Sequence, residues 1–198
     1  MKIRDFIKDI ENDPKLAPYL NLIPKKNKKT QMDAMHVLNR LSYILYLSDN
    51  LALSQYIIDK MIQVDFDGDY RYWEPVQNVG LLAIYIDKTK YIDRVKDMIE
   101  DARNYGDEDN VFVKQKIHKR FLTGVRLNAL KAETEASQNE VVKMNKRLVV
   151  LFHLFYLNAF SDELDMNPQL VYEEINSMLL ILRQYIQING FDNLYPFK

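Results

Sequence analysis

Residues 148–160, L-V-V-L-F-H-L-F-Y-L-N-A-F, place eleven apolar side chains in thirteen positions, interrupted only by His153 and Asn158. A helix of that sequence is apolar all round, so it has no solvent face and must be enclosed by other elements. It is too short to cross a bilayer, which takes about 20 apolar residues, whereas runs of about 10–14 are usually core. The run therefore predicts an all-α protein in water, assembled around a buried helix at about 138–160.

Composition agrees with that class. The 198 residues include only 5 Gly and 6 Pro, too few for sandwiches, barrels or Rossmann-type loops. There is no cysteine, which excludes disulfides and thiolate chemistry and fits a cytoplasmic setting. The first twelve residues carry acids and lack an apolar h-region, so no secretory signal is expected, and no transmembrane run is present. Net charge is −1, yet it alternates along the chain: +4 over 1–48, −7 over 49–110, +6 over 111–147 and −4 over 148–198. Such alternation suits a charged partner on one face, while the net charge of −1 argues against general nucleic-acid affinity.

Helix signals divide a single domain, 1–198, into three parts. Residues 1–30 hold a short amphipathic helix, about Ile3 to Ile10, and a loop rich in Pro and Lys. Residues 31–104 read as two antiparallel hairpins. Thr30 and Asp33 frame a capping box for a helix to about Leu47; Ser48-Asp-Asn50 ends it and starts a second, to about Val64. Pro75 opens a third helix, to about Ile86, and a return helix runs from about Lys90 to Tyr105, stopped by Gly106. Residues 111–190 supply three more. One is capped by Asn110 and reaches about Ala136. One opens at the Ser137/Glu140 capping box, and the last is bounded by Asn167-Pro168 and Gly190. The aromatic tail after Gly190 is expected to fold back on the body.

An internal echo accompanies this layout. Leu45-Tyr46-Leu47, Ile84-Tyr85-Ile86 and Phe155-Tyr156-Leu157 each close an apolar helix. In the helix after each comes a second pattern: Ile58-x-x-Met61-Ile62, Val95-x-x-Met98-Ile99 and Ile175-x-x-Met178-Leu179. At these residues the chain resembles tetratricopeptide-like helical repeats, over roughly 31–104 and more loosely 138–189. Gly80 and Ser42 stand near the family's small positions, while its W-x2-L-G-x2-Y spacing is absent as a set. The resemblance implies a short right-handed stack of hairpins with a concave surface that binds peptides or proteins. It carries no binding residues over.

Few residues are arranged for chemistry. Asp65, Asp67 and Asp69 alternate as acids do in a calcium loop, but Tyr70 stands where the sixth-position glycine belongs and Val76 where the twelfth-position glutamate belongs. The stretch reads as a turn, or as an acidic loop facing a partner with Tyr70 and Tyr72 as aromatic anchors. Trp73 beside them reads as core. Lys116, Lys119, Arg120 and Arg126 fall within about a third of a turn on a helical wheel, forming a basic face. That face suits water, an acidic protein or a phosphate. His153 reads as a neutral histidine hydrogen-bonded inside the core, with His36 and His118 too distant in sequence to complete a metal site on one helix. No cofactor or metal is expected, and Walker A, G-x-S-x-G, H-E-x-x-H and G-x-G-x-x-G motifs are absent.

The chain is therefore expected to be a non-enzymatic, bacterial-type interaction module or adaptor, of the kind that serves as an immunity protein. It would bind another protein through a groove or edge of its hairpins, with homo-oligomerisation open. The alternatives are a nucleic-acid or phosphate binder using the basic face, and an enzyme using the acids near 65–74.

Overall fold

The computed structural model describes residues 5, 8–9, 11–17, 31–63, 73–104 and 121–194, and at 31–35, 73–76 and 98–104 it describes the backbone only. Seven helices and no strand occur among the described residues: α1 (Gln31–Leu47), α2 (Leu51–Ile62), α3 (Trp73–Ile86), α4 (Lys88–Asn104), α5 (Gly124–Ala136), α6 (Glu140–Ala159) and α7 (Pro168–Asn189). The protein is all-α.

Local chemistry sets most of the ends. Asp49 adopts φ 60°, a left-handed turn that aspartate tolerates, and Asn50 then caps α2 by accepting from the Leu53 N–H. Asp87 accepts from the Lys90 N–H at 3.0 Å, so α4 starts two residues earlier than expected. Asn167 accepts from both Gln169 and Leu170 N–H groups with Pro168 at the first helical position, and Gly190 at φ 70° stops α7.

Two expected starts are wrong. The helix expected to run unbroken from Asn110 to Ala136 does not, because residues 121–123 are non-helical and Thr123 is extended at φ −135°, ψ 165°. α5 begins only at Gly124. Ser137 does not cap α6 either; Asn139 does, accepting from the Val142 N–H at 3.0 Å, which places Glu140 in the first turn as favourable negative charge.

Neighbouring helices pair as α1–α2, α3–α4, α5–α6 and α6–α7, and α3 also packs on α1, α2 and α6. Helix pairs come close where side chains are small. Ser54 Oγ donates to the Ser42 carbonyl at 2.8 Å between α1 and α2, both serines being fully buried. Gly80 presses against Val95 between α3 and α4.

α6 sits against α3, α5 and α7, with Leu148, Val150, Leu151, Leu154 and Phe155 excluded from water. Tyr43 of α1 reaches it as well, its ring edge-on to Phe152 at 5.0 Å. The enclosure has one gap: Val149 is 41% exposed, so α6 is not dry on every side. Leu16 and Leu194 are buried, and the Asn145 amide donates to the Asn193 carbonyl at 2.9 Å, folding the tail back as far as Leu194.

Candidate functional site

The two echoed tyrosines meet. Tyr46 lies in the last turn of α1 and Tyr85 in the last turn of α3, and their rings stand edge to face with centroids 6.5 Å apart. Each lies one position beyond a buried residue, Leu45 or Ile84, so the helical step turns it from the core toward the surface. α7 crosses beside them. Tyr172 places its ring 5.5 Å from that of Tyr85, and the Tyr85 hydroxyl donates to the Asn176 side-chain oxygen. Phe155 backs Tyr85 from beneath at 5.2 Å.

Arg183, one helical face along α7, closes the cluster. Its guanidinium lies over the Tyr46 ring at 5.0 Å, and Nη2 donates to the Tyr46 carbonyl at 3.2 Å. That carbonyl belongs to the last turn of α1, where a cation offsets the negative end of the helix dipole. Nε is 3.5 Å from an Asp49 carboxylate oxygen, an ion pair without hydrogen-bond geometry that leaves this buried N–H with no acceptor. Leu180 on the same helix and Leu51 at the start of α2 are exposed apolar side chains.

Electrostatics disfavour a nucleophilic or general-base role for the phenols. Burial pushes the Tyr85 hydroxyl well above its ordinary range, with the neighbouring Tyr46 and Tyr172 raising it further. Burial raises Tyr46 too, against the opposing charge of Arg183. Both are neutral at physiological pH and act as hydrogen-bonding aromatic surface.

This has a consequence at high pH. The folded state holds these protons above the unfolded-chain value of about 10. Their contribution to stability is therefore complete below about pH 10 and lost as pH rises through the folded-state values. Absorbance at 295 nm should show a group of tyrosines that ionise only with unfolding, and Tyr85→Phe should make the alkaline fall in denaturant midpoint shallower. An unchanged slope in that variant would contradict the shift.

Of the residues singled out in the sequence, Asp65, Asp67, Asp69, Tyr70, Tyr72, Lys116, Lys119 and Arg120 lie outside the described residues, as does the Trp73 side chain. Arg126 is exposed on α5. Because residues 121–123 are not helical, no continuous helical wheel carries positions 116–120 round to Arg126, so the four-residue basic face does not extend to it. Other cations nearby are paired: Lys146 with Glu133, Lys143 and Arg147 with Glu135, and Lys131 with Glu174.

His153 is buried, and its Nδ1 accepts from the Leu122 N–H at 3.0 Å. An accepting nitrogen carries no proton, so Nδ1 is unprotonated and its partner is a backbone amide, within the hydrogen-bonded core histidine expected from the sequence. Phe121 lies edge-on to this ring and flat on the third echoed tyrosine, Tyr156, at 4.4 Å. No group of three His, Asp or Glu that could hold a metal occurs among the described residues. Nor is any described helix long and apolar enough to cross a membrane.

Fold and face together define an all-helical chain that presents aromatic and arginine side chains at a junction of three helices. The chain belongs to a family of unknown function, DUF6707, whose profile matches residues 2–184. No curated protein matches the chain, and no solved structure does.

Proposed function

We propose that the chain is a non-enzymatic protein-interaction module, an adaptor or immunity-type protein of the bacterial cytoplasm, and that Tyr46, Tyr85, Tyr172 and Arg183 form its docking face. The observation that carries this reading is the continuity of three tyrosine rings with a guanidinium at a partly exposed surface, where Tyr172 remains 45% exposed. Tyr and Arg dominate the energetics of interfaces because they add large contact area and directional hydrogen bonds at modest entropic cost. Pairing of α1 with α2, α3 with α4 and α1 with α3 supports the tetratricopeptide-like reading of 31–104, as do the close approaches at Ser42 and Gly80. In that reading α7 forms one wall of the docking groove.

The test replaces Tyr172 with the photoreactive p-benzoylphenylalanine in the native cell and identifies what it captures on irradiation. Specific adducts to a protein are expected at 172 and not at Gln138, an exposed residue in the turn between α5 and α6. Irradiation that yields no protein adduct at 172 overturns the docking face.

A further inference from the structure

We propose that this face takes a second copy of the same chain across a two-fold axis, with Arg183 of each copy meeting Asp49 of the other; the inference rests on the docking-face reading above and names its partner. A two-fold interface uses one patch twice, so the patch must be its own complement. A surface of a single sign calls for an oppositely charged partner. This one carries both signs side by side, Arg183 on α7 and Asp49 in the turn between α1 and α2, 3.5 Å apart.

The ion pair within one chain leaves both groups capacity for a second partner. The Asp49 side chain is 79% exposed, and its contact to Arg183 is not a hydrogen bond, so the carboxylate keeps its acceptor sites open to a second guanidinium. The Arg183 side chain is 32% exposed and held in orientation by the Tyr46 ring and carbonyl. A pre-oriented guanidinium loses less entropy on pairing than a free one.

The apolar surroundings follow the same logic. On α7, Tyr172, Asn176, Leu180 and Arg183 share one face at helical spacing, with Leu180 59% exposed, and Leu51 flanks Asp49 on the other side. Folding one such face onto its own image buries Leu180, Tyr172 and Leu51 around the exchanged ion pairs, an apolar centre with charge fixing the register. A net charge of −1 sets little long-range repulsion between two copies.

The test is sedimentation velocity on the full chain and its variants over a micromolar concentration series. The wild type is expected at twice the chain mass. Asp49→Lys leaves the face with two cations and Arg183→Glu leaves it with two anions, so each variant alone should dissociate at least about tenfold more readily. Mixed together they should recover a heterodimer, because the cationic face of one complements the anionic face of the other. A role for Asp49 and Arg183 confined to one chain does not produce that recovery. Circular dichroism checks the fold of each variant; should Arg183→Glu fail to fold, Leu180→Asp at an exposed position serves in its place and should also give the monomer. A wild type that stays monomeric throughout overturns the self-association, as does a dimer indifferent to Asp49→Lys and Leu180→Asp, or a mixture of folded charge variants that does not associate. A monomeric wild type whose position 172 still cross-links to a different protein would sink the second-copy inference alone and leave the docking face standing.

Discussion

Phe155→Ala is expected to lower unfolding free energy by about 3–5 kcal/mol, read as a fall in urea midpoint at constant slope. Phe155 has no exposed surface, and its ring touches Tyr43 of α1 at 6.1 Å and Tyr85 of α3 at 5.2 Å. Truncation removes the transfer free energy of the ring and leaves a cavity that three different helices would have to move to fill. Since domains of this size are stable by only about 5–15 kcal/mol, the loss is a large share of the whole. Val149→Ala on the same helix is the internal control. Its side chain is substantially exposed, so a change within about 0.5 kcal/mol is expected. Equal losses at the two positions would show that α6 is not oriented as described.

Gly80→Ala tests a different term, and here two effects compete. Replacing glycine by alanine inside a helix ordinarily stabilises by about 0.5–1 kcal/mol through reduced backbone entropy of the unfolded chain. At Gly80, however, a Cβ would lie 2.8 Å from Val95 Cγ1 and 3.1 Å from Cγ2. Val95 is buried, and a β-branched side chain in a helix has essentially one rotamer, so it cannot swing aside. α3 and α4 must separate instead, an overpacking cost of about 1–3 kcal/mol that outweighs the propensity gain. A net loss of about 1–2 kcal/mol is expected. In a Val95→Ala background the obstructing methyls are gone, and the same Gly80→Ala change should become stabilising. A stabilising effect in the wild-type background would refute the close approach of the two helices.

Much of the helical layout was legible because its determinants act over a few residues. Asn50, Asn167 with Pro168, and Gly190 mark helix ends by satisfying or releasing backbone groups within one turn, and the structure uses all of them. The Ser137/Glu140 box misled for the same local reason: two residues on, Asn139 offers an equally competent cap, and the capping pattern alone does not rank them. The unbroken helix expected from Asn110 failed at 121–123. There Phe121 is held against Tyr156, and the Leu122 N–H donates to His153 from α6, contacts that compensate for helical hydrogen bonds forgone.

What the sequence alone determined is the all-helical class, most helix ends, and the burial of nearly all of residues 148–160, because periodicity, capping and an excess of apolar side chains are properties of short stretches. It also marked Tyr46 and Tyr85 as equivalent, through the echoed aliphatic-tyrosine-aliphatic triplets. Only the tertiary structure decided that Tyr85 meets Asn176 across 91 residues of chain and that Arg183 meets the Tyr46 carbonyl across 137. Nothing near Arg183 in sequence points to Tyr46. The pairing comes from α7 packing directly on α1 while it also packs on α6, and contacts set by several helix faces together exist only once all the faces are in place.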